Sequence, residues 1–165
     1  IGYLVVPTEL QEVFATAKQF ADRHSPVAEQ EALACLFESG GYEGHVRRVR
    51  RLNGERRETL LGALRHSFGD RIAVQGADAG LHVAVWFNDL PRSQETTLVE
   101  AARGAGLGLH LISPLYERQS DEGHIDRVGL VMGYAALSIR QIEKGVEILR
   151  AVVKQVQDAL PGHGA

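Results

Sequence analysis

The side chains able to do chemistry in this sequence are few and scattered. Histidines at positions 24, 45, 66, 82, 110, 124 and 163 form no HxH or HxxxH pair and no Cys/His cluster. That argues against a metal site, since zinc centres gather three or four such ligands. His82 stands apart. It follows the small-residue run "GADAG" and opens a strand-like stretch, so its imidazole could face a cleft, although a satisfied core or surface histidine would show the same pattern. No serine occupies a G-x-S-x-G elbow. Lys18, Lys144 and Lys154 all fall in amphipathic helical patterns, away from the strand-end or loop setting of a Schiff-base lysine. The single cysteine, Cys35, sits in "EALACLFESG" among apolar neighbours at helical spacing. It is expected to be a small core residue, and alone it cannot form an intrachain disulfide. "GADAG" joins two strands and "GAGLG" (104–108) follows a helix. Both have the wrong polarity for a phosphate cradle at a helix N-terminus and are read as turns.

The strongest charge feature is "YEGHVRRVRRLNGERR" (42–57), with arginines at 47, 48, 50, 51, 56 and 57. As a nucleic-acid grip it would neutralise phosphates and release counterions. It has no interleaved aromatics for base stacking and no helix-turn-helix before it. Glu43, Glu55 and Glu58 dilute it, and Arg51 with Glu55 has i,i+4 spacing. The whole chain carries a net charge of −3 and a pI near 6.2, where free-standing nucleic-acid modules lie above ~9. The run is therefore read as a solvated or interface-forming helix face, with the nucleic-acid grip as the alternative. At 165 residues, 44% hydrophobic and 24% charged, the chain is expected to be globular and soluble, with one core or two small lobes. No apolar run reaches membrane-spanning length and no signal peptide is visible, so no membrane partner and a cytoplasmic location are expected.

The elements that would position these residues follow from hydrophobic periodicity. "IGYLVVP" lacks a methionine and is a continuous apolar run closed by Pro7. It predicts a buried strand over 1–6 and suggests a fragment of a larger protein. A helix over 8–23 carries Leu10, Val13, Phe14, Ala17, Phe20 and Ala21 on one stripe. Ser25 is expected to cap a second helix (26–39) that buries Val27, Leu33, Ala34 and Phe37 and stops at Gly40-Gly41. A long helix over 42–67 lines up Tyr42, Val46, Val49, Asn53, Arg56, Leu60 and Leu64. Apolar at its ends and polar between, it suits a spacer joining two lobes. Gly54 costs it ~1 kcal/mol relative to alanine and marks where it would bend.

From Asp70 the order is β-β-α-β-β-α. The strands are "RIAVQ", "LHVAVWF", "LGLHLIS" and "VGLVMGY". Ser93 is expected to cap the first helix of this part. The last helix starts with the capping box Ser138-x-x-Gln141 and carries Ile142, Val146, Leu149, Val153, Val156 and Leu160 on one stripe. This is an α/β (α+β) reading: a small, mostly antiparallel sheet with helices on one face. "ERQSDEGHID" and the terminal "PGHGA" read as mobile.

The strings "SPVAEQEALACLFESGGYEGHVRRVRRLNGERRETLLGAL" (25–64), "AGLHV" (79–83), "ARGAGLGLHLISPLY" (102–116) and "GLVMGYAALSIRQIEKGVEIL" (129–149) resemble, in this order, the aminotransferase-like domain of MocR/GabR-type regulators. These are GntR-superfamily transcription factors in which a winged helix is fused to a fold-type I, pyridoxal-phosphate-binding domain. The resemblance implies that residues 1–41 are the tail of the large domain, 42–69 an inter-lobe helix, and 70–165 the small C-terminal domain. "IGYLVVP" would follow the lysine that holds the cofactor and the arginine that holds its phosphate. The fragment would then be inactive alone and would hold no pyridoxal phosphate stably, although its parent would.

The parent is expected to be a homodimer that senses a small amine, an amino acid or the cofactor, and to bind DNA through a domain absent here. A working aminotransferase is the alternative. His82, Tyr116 and Arg118 are the residues expected at the effector mouth. Two departures stand out. Asn53 replaces the tyrosine of the family's "RRxRxxYxxRR". Val131 occupies the strand position where related aminotransferases place a substrate-carboxylate arginine, leaving Arg118 or Arg127 as stand-ins.

Overall fold

The computed structural model of the chain describes residues 2–23, 25–78, 80–115 and 126–160. "ERQSDEGHID" up to Ile125, and "PGHGA", lie outside the described residues. The chain divides into two compact units, Ile1–Val49 and Arg50–Ala165.

The first unit holds α1 (Gln11–Asp22), α2 (Val27–Glu38) and the start of α3 (Gly41–Phe68). The helices fall where the periodicity puts them, but the expected burial does not follow. Neither α1 nor α2 has a buried residue. Val13, Phe14, Phe20, Val27 and Phe37 are exposed, and Cys35 is exposed rather than in a core. Residues 2–7 are not a strand: Tyr3, Leu4 and Val5 are exposed and pair with nothing among the described residues. An extended apolar run becomes a strand only where another strand satisfies its backbone groups, and among the described residues no sheet lies in this unit. Ser25 does not cap α2. Pro26 holds the N-cap position without a side-chain hydrogen bond.

In the second unit a hydrophobic cluster forms around a three-stranded antiparallel sheet, β1 (Ile72–Gln75), β2 (His82–Pro91) and β3 (Arg127–Gly133), ordered β1-β2-β3. Pairing of Val83 with Met132 and of Val85 with Leu130 puts Val83, Val85, Phe87, Val128 and Leu130 on one face, all buried. That face joins Leu60, Leu64 and Phe68 of α3, Leu98 and Ala102 of α4 (Glu95–Gly104), and the stripe of α5 (Ile139–Asp158) in one cluster. Phe68 and Phe87 meet edge to face at 5.4 Å between centroids. Each such side chain contributes ~1.5–3 kcal/mol by burial, so α5, which buries six apolar residues from Ile142 to Val156, is a principal anchor of the unit.

Two local expectations change. "LGLHLIS" is not a strand. It makes one isolated bridge, Leu111 to Leu130, with Val131 N–H donating to His110 O (2.8 Å) and Ile112 N–H to Gly129 O (2.9 Å). The turn at the end of α4 limits it: Gly106 takes φ +79° and Leu107 N–H donates back to Ala102 O at 2.8 Å, so the chain reaches β3 with little length left to pair. Ser93 lies inside a 3₁₀ turn, and Gln94 holds the N-cap position of α4 without a side-chain bond.

The polar centre of α3 is an anchor. Arg56 donates to the Ala135 carbonyl (2.6 Å) and to Asn53 Oδ1 (3.1 Å), tying α3 to the segment after β3. Arg57 donates to Asp78 O (3.3 Å) and Arg51 pairs with Glu55 at 2.9 Å. Several members of the arginine run are therefore engaged within the fold. The helix is continuous through Gly54.

Ser138 Oγ accepts from Gln141 N–H (3.3 Å) while Gln141 Oε1 accepts from Ser138 N–H (2.9 Å), as the capping box predicts. Ser138→Ala should cost ~0.5–2 kcal/mol of unfolding free energy, read from urea denaturation. An unchanged midpoint would mean that packing alone holds the start of α5.

Candidate functional site: a cleft beside the third strand

The second face of the sheet is built by the same register. His82 opposes Gly133, Ala84 opposes Val131 and Trp86 opposes Gly129. Directly opposed residues in an antiparallel pair share a face, so the two rings on this face of β2, His82 and Trp86, each have a glycine across from them. A Cβ on Gly129 would lie 2.4 Å from Trp86 Cζ3, and one on Gly133 would lie 2.9 Å from His82 Cδ2. Trp86 is buried in this arrangement. Its Nε1 donates to Gln75 Oε1 (3.3 Å) and the Arg127 guanidinium stands 5.8 Å from its ring centroid. The His82 ring lies across Gly133, at the end of β3, and is exposed.

Beside that end of β3 is a cavity of about 490 Å³. Its walls come from residues 107–110, the last part of β3 with the 134–137 segment, and the first half of α5. Leu107, Leu109, Met132, Ile142 and Leu149 line it, and Gly145 of α5 leaves a notch whose nearest neighbour, Leu107 Cδ1, is 3.8 Å from a built Cβ. His82 and His110 are also on the lining. Tyr134 is buried, and its hydroxyl donates to Gly80 O at 2.8 Å.

Of the residues expected at an effector mouth, His82 lies on this cavity, while Tyr116 and Arg118 lie outside the described residues. Val131 also lines it. Arg127 does not stand in there. It pairs with Pro91 at the opposite end of β3, stacks on Trp86 and donates to Asn88 Oδ1. The position along the strand decides this, since a strand advances ~3.3 Å per residue. Leu107, Met132 and Gly145 were not singled out from sequence. A glycine inside the otherwise strongly amphipathic α5 was the available signal for the last of them.

The lysines do not fit covalent attachment of pyridoxal phosphate by this chain. Lys18 pairs with Asp22 at 2.8 Å, Lys144 with Glu147 at 3.6 Å, Lys154 is exposed, and none lines the cavity. Among the described residues no group of three or more His, Cys, Asp or Glu could hold a metal ion, and no helix is long and apolar enough to cross a membrane.

This architecture is that of the fold-type I aminotransferases. The multiple substrate aminotransferase of Thermococcus profundus superposes with a TM-score of 0.77 at 16% identity, over 93% of this chain and 36% of that one. The kynurenine aminotransferase of Pyrococcus horikoshii gives 0.75 at 18% identity, over 93% and 36%. In sequence the relatives are regulators. The chain is 29% identical over 150 residues to the uncharacterized HTH-type transcriptional regulator YhdI of Bacillus subtilis, covering 91% of this chain and 30% of that protein. It is 26% identical over 163 residues to the probable rhizopine catabolism regulatory protein MocR of Rhizobium meliloti, covering 98% and 32%. No family model matches. The chain is thus similar over most of its length to MocR- and YhdI-type HTH transcriptional regulators, and it spans about 30% of the length of these curated relatives.

The two glycines of β3 should respond differently to a methyl group. Gly129→Ala drives into a ring that is itself buried and should cost ~1–3 kcal/mol. Gly133→Ala meets the edge of an exposed imidazole that can rotate away, so the stability loss should be smaller while His82 is displaced. Thermal denaturation and the His82 ring resonances in NMR check both. Equal losses at the two positions would contradict the packing described.

Proposed function

We propose that this chain is the C-terminal part of an effector-sensing, aminotransferase-like domain in a MocR-type transcriptional regulator. One conjunction carries the reading: the fold is that of fold-type I aminotransferases, while the sequence relatives are HTH-type regulators. In this reading residues 1–41 are the tail of a large domain, 42–69 an inter-lobe helix, and 70–165 the small domain. The exposed apolar faces of α1 and α2 support that division, because such faces call for a covering layer.

The longer protein would be a cytoplasmic homodimer that contacts DNA through a separate HTH domain and holds pyridoxal phosphate through residues outside this chain. Bound there, the cofactor supplies a carbonyl that reacts with amines. The present residues would shape the wall that receives a small amine, an amino acid or the cofactor, with His82 on it; Tyr116 and Arg118, expected at the same mouth, lie outside the described residues. Sensing then requires that the effector bind two conformations with different affinity. The likeness to solved aminotransferases keeps a catalytic parent as the second reading.

In the longer protein loaded with pyridoxal phosphate, the cognate effector should change operator affinity by ~5–150-fold, measured by fluorescence anisotropy at constant salt. Equal affinity with and without every amine and amino acid tried would overturn the sensor reading. Sustained conversion of an amino donor over many turnovers would establish the enzyme instead.

A further inference from the structure

We propose that the cavity between residues 107–110, the end of β3 and α5 receives the uncharged, apolar part of a small-molecule ligand, an aliphatic or aromatic group, and that it rejects carboxylate and phosphate groups. The biological ligand is so described on the reading that this chain senses an effector; the occupancy itself follows from the cavity.

Its volume, about 490 Å³, falls within the ~300–1,000 Å³ typical of small-molecule pockets. Among the described residues, the lining contains no Asp, Glu, Lys or Arg. Its other polar side chains are largely committed elsewhere: the Tyr134 hydroxyl donates to Gly80 O, and Gln141 Oε1 accepts from Ser138. Arg56, which reaches the Ala135 carbonyl, is held there and on Asn53. An anionic group entering would lose its hydration without gaining a fixed cation from any described lining residue, and burying an unpaired charge is strongly disfavoured. His82 and His110 are left for one uncharged polar end of a ligand, through a hydrogen bond to an imidazole. Leu107, Leu109, Met132 and Leu149 supply the apolar walls.

Gly145 gives direct control over the space. It stands on α5 facing Leu107, with room for a Cβ at ordinary contact distance. Alanine there leaves most of the cavity open, while a leucine side chain would project into it.

The test uses hexan-1-ol and hexanoate, which share an alkyl chain and differ in charge, titrated into the 165-residue chain at pH 7.5 and followed by amide NMR. Hexan-1-ol should give saturable shifts at Leu107, Leu109, Met132 and Gly145, and hexanoate should need a concentration at least about tenfold higher. Gly145→Ala should keep the response and Gly145→Leu should abolish it without lowering the melting temperature. If Gly145→Leu fails to fold, Leu107→Trp takes its place as the filling variant. No saturable shift with hexan-1-ol, equal binding of hexanoate, or retained binding in a folded filling variant would each overturn the proposal. The two readings fail separately. Loss of effector-dependent DNA binding in the longer protein sinks the regulator reading and leaves the occupancy result standing, whereas absence of hexan-1-ol binding sinks the cavity proposal alone.

Discussion

The register of β2 against β3 is the constraint on which the second unit depends. Side chains alternate faces along a strand, so a slip of one residue would exchange the two faces entirely. In the observed register Val83, Val85 and Phe87 meet the cluster built by α3, α4 and α5, while His82 and Trp86 oppose Gly133 and Gly129. A slipped pairing would drive His82 into the core and place the Trp86 ring opposite a side chain instead of a glycine. Each error costs on the order of a few kcal/mol, a large fraction of the ~5–15 kcal/mol by which a domain is stable. The glycines of β3 therefore help specify the register, besides making room.

The α3 helix contributes in a different currency. Its C-terminal half buries Leu60, Leu64 and Phe68, and its polar middle fastens to the segment after β3 through Arg56. Asn53, which departs from the pattern of the resembled family, holds that same guanidinium. A polar residue in mid-helix here has a defined partner. The arginine run, which looks like a phosphate grip in one dimension, is drawn partly into ion pairs and carbonyl contacts in three.

A fold shared by aminotransferases and regulators does not choose between their activities. What this chain adds is a wall: an apolar cavity at the end of β3, lysines turned to solvent, and Val131 on the lining. In the proposed sensor these features would bear on which ligand groups can be received.

Much of the fold was legible because local physics dominates it. The α5 capping box, its apolar stripe and the alternation of β2 each follow from periodicity and side-chain hydrogen bonding within a few residues. The family resemblance was legible from ordered strings alone. His82 could be nominated, but no periodicity places it on a cavity; that depends on Gly133 across the ladder and on Leu107 and Gly145, distant in sequence. The misreadings of pairing and burial have one cause. "IGYLVVP", "LGLHLIS" and Cys35 have the composition of buried structure, yet pairing and burial are supplied by other segments. A strand needs a neighbour and a core needs a covering layer. The sequence by itself determined which residues are apolar, which stretches are helical, and which family the chain resembles. Only the tertiary structure decided which apolar faces are covered, which glycines admit rings, and where the cavity lies, because these are relations between segments that no local pattern encodes.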